Sequence, residues 1–165
     1  MKTISSVCKT LLLLIMIAVI NIANAQNKKA DKTPTIKTLI ENNSFVFHPQ
    51  TALPMSSGAK QITPDFELIV SKDTIVSYLP YYGRAYTAGY GSTESPLNFR
   101  STKFDYTVTP KHKGGWDIII KTKDNSENII YTLSISADGY GILQATSDNR
   151  QPISFNGYIT ERKTN

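Results

Sequence analysis

From Phe45 onward the apolar residues recur at every second position, and this period limits the folds open to the chain more than any other feature. Phe45 and Phe47, then Phe66, Leu68 and Val70, then Phe104, Tyr106 and Val108 each fall on one side of an extended strand, with more polar residues between them. The second half is the most regular. Segments 103–109, 116–122, 129–136, 140–147 and 153–159 read as strands, separated by short turn-forming stretches. Gly114-Gly115 and Asp138-Gly139 supply the positive φ that tight hairpins need, and Asp124-Asn125 favours a turn through local side-chain hydrogen bonds. Strands joined this way run antiparallel, as a five-stranded meander. Trp116, Ile118 and Ile120 share one side, as do Tyr131, Leu133 and Ile135, while Ile119 and Ile130 make the opposite sides partly apolar. Such a sheet has to curl, pack on a second sheet or be covered by a helix.

Before the first strand, Ile36, Leu39 and Ile40 stand at i, i+3 and i+4, the stripe of a short helix ending at Asn42-Asn43. Residues 53–64, with Pro54, Gly58 and Pro64, read as a loop, and a hairpin through 71–73 joins strands 66–70 and 74–79. The expected fold is mainly β: an antiparallel curved sheet or two-sheet sandwich of about eight strands with a short N-terminal helix.

The N-terminus has a different grammar. Lys2 and Lys9 precede or open the apolar run Leu11 to Ile20, which is followed by Ala23-Asn24-Ala25 with small residues where a signal peptidase reads. Residues 1–25 are expected to be a cleavable signal peptide, so the mature protein is expected in the periplasm or outside the cell. The run is about half of the ~20 residues that span a bilayer, and no transmembrane anchor is expected. Residues 26–34 are polar and lysine-rich, a flexible leader; 35–160 form a single β-rich domain and 161–165 a tail. The only cysteine, Cys8, leaves with the signal, so the core has to hold the fold without disulfides. Two lysines and no acid leave with it, and the net charge falls from +5 to +3. Lys28, Lys29 and Lys32 cluster in the exposed terminus rather than on a sheet or helix face, which argues against a nucleic-acid partner.

Chemistry is sparse. His48 and His112 are isolated and no clustered acidic pattern accompanies them, so neither a metal nor a cofactor is implied. There is no G-x-S-x-G elbow and no thiol after residue 25, and no residue is assigned a catalytic role. The one unusual density is aromatic: five of the nine tyrosines, Tyr78, Tyr81, Tyr82, Tyr86 and Tyr90, lie within thirteen residues that also hold Pro80, Gly83, Arg84 and Gly89, with Gly91 directly after. Tyrosine offers a flat apolar body with a polar tip, and arginine stacks on rings or pairs with carboxylates. Such a segment suits a binding cleft, or else alternates between core and rim of adjoining strands. Arg150, after Ser147-Asp148-Asn149, either pins its loop by pairing with Asp148 or, if it converges with Arg84, helps form an anion site. The candidate binding residues are thus Tyr78, Tyr81, Tyr82, Arg84, Tyr86, Tyr90 and Arg150. Non-catalytic binding of a small molecule, glycan or peptide is favoured, ahead of an envelope protein-interaction or structural role through the same aromatic surface, and then of a hydrolase.

The segment Y-L-P-Y-Y-G-R-A-Y at Tyr78 to Tyr86 is followed by Asn98-Phe99, Phe104-Asp105-Tyr106, Gly139-Tyr140-Gly141, Ser147 to Gln151 and Ile153 to Gly157. This series, together with the signal peptide, resembles the exported bacterial domain-of-unknown-function family numbered 4251, found in Gram-negative bacteria of the gut type. The resemblance runs from about Lys37 to Ile159, with L-P-Y-Y-G-R-A-Y its most specific part. It implies an exported compartment and a single domain, and it carries no catalytic role onto any residue.

Overall fold

The alternation is realised as one continuous antiparallel sheet that curls until it nearly closes. The computed structural model describes residues 32–86 and 95–162, with side chains from Thr35. Residues 1–25, expected to be a signal peptide, the first part of the expected leader and Tyr90 lie outside the described residues. Helix α1 (Lys32–Glu41) begins within the stretch read as leader and precedes β1 (Phe45–Pro54), β2 (Lys60–Gln61), β3 (Glu67–Val70), β4 (Ile75–Tyr78) and β5 (Asn98–Ser101). The meander follows as β6 (Phe104–Pro110), β7 (Trp116–Thr122), β8 (Ile130–Ile135), β9 (Tyr140–Ser147) and β10 (Arg150–Thr160). Strand order is β5-β4-β3-β1-β10-β9-β8-β7-β6, with β2 added beside β1. There is one sheet, not two: by curling, it lets both halves bury their inner faces against each other.

The inner face is the one the period marked. Phe45, Phe47, Leu68, Val70, Ile75, Ile118, Ile120, Tyr131, Leu133, Ile135, Leu143 and Phe155 have no exposed surface. Each such aliphatic or aromatic side chain contributes about 1.5–3 kcal/mol. Polar groups inside are satisfied: Ser77 Oγ donates to the Leu97 carbonyl (2.6 Å), so the Tyr131 hydroxyl donates to Ser77 Oγ (2.7 Å). Phe99 of β5 stacks on Tyr131 of β8 across the interior. Burial raises the Tyr131 phenol far above its ordinary range and keeps it a neutral donor.

Helix α1 covers the end at which β10 finishes. Ile36, Leu39 and Ile40 are buried, and the Ile40 carbonyl accepts the Tyr106 hydroxyl (3.0 Å). Asn43, at φ 51°, ends the helix, its N–H returning to Ile40 O and that of Ser44 to Leu39 O. Gly114, Gly115 and Gly139 have the positive φ expected of the hairpin turns.

Three local expectations are corrected. β1 runs through Pro54, into the stretch read as a loop from 53, because a bulge between Pro49 and Thr51 restores the alternation and keeps Ala52 inward. Phe66, expected beside Leu68 and Val70, precedes β3 and stacks instead on Tyr78 (centroids 5.1 Å apart). β5 was not foreseen: only Phe99 and Ser101 face inward, too brief and too polar an alternation to stand out.

The two edges of the curled sheet, β5 and β6, meet where the chain passes from one to the other. Asp124, in the β7–β8 turn, holds this seam: its carboxylate accepts Ser101 Oγ and the backbone N–H groups of Thr102 (2.8 Å) and Lys103 (3.1 Å). These bonds lower its pKa from 3.8 to about 2, the Ser101 hydroxyl contributing most.

Candidate functional site

At the end of the sheet opposite α1, the finish of β4 and the starts of β3, β5 and β10 leave a cleft of about 510 Å³. Phe66, Tyr78, Leu79, Pro80, Tyr81, Tyr82, Ser95, Pro96, Asn98 and Arg150 line it. The segment after β4 makes its lip, and the sequence explains the lip's shape. Leu79 continues inward and is buried, whereas Tyr78 and Tyr82 keep 44% and 38% of their surface exposed. Tyr78 leans on Phe66, and Lys60 Nζ lies 5.4 Å from the Tyr82 ring centroid.

Tyr81 turns the other way, under the lip. Its hydroxyl donates to the Gln151 carbonyl (2.8 Å), with the Arg84 carbonyl 3.2 Å away as the alternative acceptor. This fold-back needs Gly83, since a Cβ there would come within 2.3 Å of the Tyr81 hydroxyl. Burial raises the Tyr81 pKa, although nearby Arg150 opposes the shift, so the phenol stays protonated. Three further bonds fasten the lip to the β9–β10 turn: Tyr86 N–H to Asn149 O (2.8 Å), Gln151 N–H to Arg84 O (3.0 Å) and Arg84 N–H to Gln151 Oε1 (3.2 Å). Beyond the lip, Ser95 Oγ donates to Leu79 O (2.6 Å) and tethers the return of the chain.

Arg150 stands beneath. Its Nε donates to Glu127 Oε2 (2.8 Å) and Oε1 (3.0 Å), and Nη2 to Oε1 (2.9 Å), a side-on pair, with Cζ 5.6 Å from the Tyr81 ring centroid. The hydrogen bonds it donates to Glu127 raise the arginine's pKa still further, so its charge is permanent. The arginine does pin a loop, but through Glu127; Asp148 instead accepts Asn128 Nδ2 (2.7 Å). Ala85 forms a bridge with Arg150, so Arg84 and Arg150 are close along the backbone, yet the charge of Arg150 is already met by Glu127. That disfavours the two-arginine anion site.

Of the candidate residues, Tyr78, Tyr81, Tyr82 and Arg150 meet at the cleft. Arg84 and Tyr86 act there through their backbone; their side chains are exposed and do not line it. Phe66, Ser95, Pro96, Asn98 and Glu127 were not among the candidate binding residues. Of these, Phe66 carried a strand signal and Ser95-Pro96 that of a turn, neither of which points to a site. Among the described residues no three His, Cys, Asp or Glu side chains gather as a metal site, and no helix is long and apolar enough to cross a membrane.

A nearly closed antiparallel sheet with an aromatic-lipped cleft at one end is therefore the class of domain. The profile of the family described as "Domain of unknown function (DUF4251)" matches residues 27–159, and the chain belongs to that family. It is similar to a DUF4251 family protein from Bacteroides eggerthii, whose crystal structure at 1.95 Å superposes with a TM-score of 0.61. The match covers 82% of this chain and 91% of that one at 10% identity, which speaks for the fold alone. No curated protein matches the sequence.

Proposed function

We propose that this is an exported, non-catalytic binding module whose cleft at Tyr78–Tyr82 takes a small molecule, glycan or peptide. The observation that carries the reading is the cleft itself. Its volume of about 510 Å³ falls in the range of small-ligand sites, and it exposes aromatic faces on a lip that Tyr81 and the β9–β10 turn hold from beneath. A rigid lip lowers the ordering cost of binding. Export rests on the charged, apolar and small-residue pattern of 1–25.

Thermal unfolding against a panel of glycans, bile acids, lipids, peptides and nucleotides tests the binding. A ligand at about 100 times its Kd adds ~2.7 kcal/mol, several degrees for a chain of this size. Tyr82→Ala is expected to remove the shift while leaving unfolding cooperative and stability within about 0.5 kcal/mol. A shift that survives Tyr82→Ala places the ligand elsewhere. For export, the protein recovered from the periplasm is expected to begin at Gln26, and recovery in the cytosol with residues 1–25 intact contradicts that part.

A further inference from the structure

We infer that the cleft selects a neutral saccharide, and that Glu127 is the residue that sets this preference by cancelling the charge of Arg150. The inference rests on the binding reading above and narrows its ligand. Among the described lining residues Arg150 is the only one with a full charge at neutral pH. An isolated arginine in a cleft draws anions, but here both oxygens of one carboxylate are taken side-on by Nε and Nη2. The two side chains are only 24% and 21% exposed, so water does little to uncouple them, and an incoming carboxylate meets a neutral pair with an acid just behind it.

What the cleft offers besides charge is specific. Tyr78, stacked on Phe66, and Tyr82 present apolar ring faces, which suit the C–H face of a sugar ring. Asn98, exposed at the start of β5, offers an amide donor and acceptor, and the guanidinium retains N–H groups on Nη1, which the Glu127 carboxylate does not engage. Flat apolar faces beside planar polar groups match a polyhydroxylated ring. The Lys60 ammonium, 5.4 Å from the Tyr82 ring centroid, stands at the lip and does not line the cleft, so a fatty acid or a nucleotide would meet no unpaired cation among the described lining residues.

The test compares thermal shifts of the protein with neutral gluco-, manno- and galacto-configured trisaccharides and with trigalacturonate. Wild type is expected to be stabilised by several degrees by a neutral trisaccharide and not by the uronate, with the shift lost in Tyr82→Ala. Glu127→Gln is expected to bind the uronate at least about tenfold more tightly than wild type does, while neutral affinity changes little. If Glu127→Gln does not fold, the wild-type preference decides alone. Binding of the uronate by wild type as tight as that of the neutral sugars overturns the inference and leaves the binding reading standing. So does a panel in which a peptide or bile acid, sensitive to Tyr82→Ala, binds and no sugar does. A panel without any ligand sensitive to Tyr82→Ala sinks both.

Discussion

Strands β6 to β10 and strands β1 to β5 contribute to the same sheet by different means. In the meander every strand pairs with its neighbour in sequence, so register follows from short hairpins such as the one that sets Trp116 opposite Ile135 through the β7–β8 pairing. In the first half only the short β1–β2 pairing and the β3–β4 hairpin are joined so simply. β1 pairs with β10, β5 returns to β4 after a connection of 79–97, and the Tyr81 hydroxyl reaches Gln151, seventy residues away. The cleft lies in the half built from distant contacts. The meander keeps its exposed aromatics on a flat outer face, whereas a lip tethered at a few points can be shaped to a ligand.

The sharpest way to break this comparison is to damage the strand both halves share. Phe155, fully buried in β10 between β1 and β9, is expected to cost about 3–5 kcal/mol as Phe155→Ala. Urea unfolding should remain a single transition at a lower midpoint; two transitions would mean that the halves fold as separate units. A smaller effect is expected at the lip. Gly83→Ala displaces the Tyr81 hydroxyl from Gln151 at a cost of about 1–3 kcal/mol. Hydrogen exchange is expected to quicken at Tyr86 and Gln151 and to leave the central amides of β7 and β8 unchanged.

The smallest effect belongs to the seam. The Asp124 carboxyl is more acidic folded than unfolded, so its contribution is present above pH 3.8 and is lost as pH falls towards about 2. Asp124→Asn should therefore narrow the stability difference between neutral and acid solution. An acid profile identical to wild type would show that the seam closes without that carboxylate.

The same contrast accounts for what could be read from the chain. The meander was legible because a period of two and glycine-rich turns are local signals, and Trp116–Thr122 and Tyr140–Ser147 lie where they were expected. The tyrosine cluster was legible as a composition but not as a geometry. Nothing near Tyr81 announces that it turns under the lip while Tyr82 stays out, because the cause is Gln151 on another strand. Glu127 was invisible as the partner of Arg150 for the same reason: Asp148 is nearer in sequence, but the β7–β8 turn brings Glu127 to the side-on position. Only pairing across the sheet supplies that information.

The most direct test is an amide NMR titration with a ligand found in the thermal panel, because the molecule carries a second aromatic surface to compare. His48, Tyr158 and Tyr140 form a row on the outer face of β1, β10 and β9, and Tyr140 and Ile142 are 57% and 48% exposed. The account predicts shift changes concentrated at 78–86, 95–98 and 150–151, with the outer row unmoved. Changes confined to the surroundings of Tyr140, Ile142 and Tyr158 would contradict it and move the binding site to the flat face of the sheet.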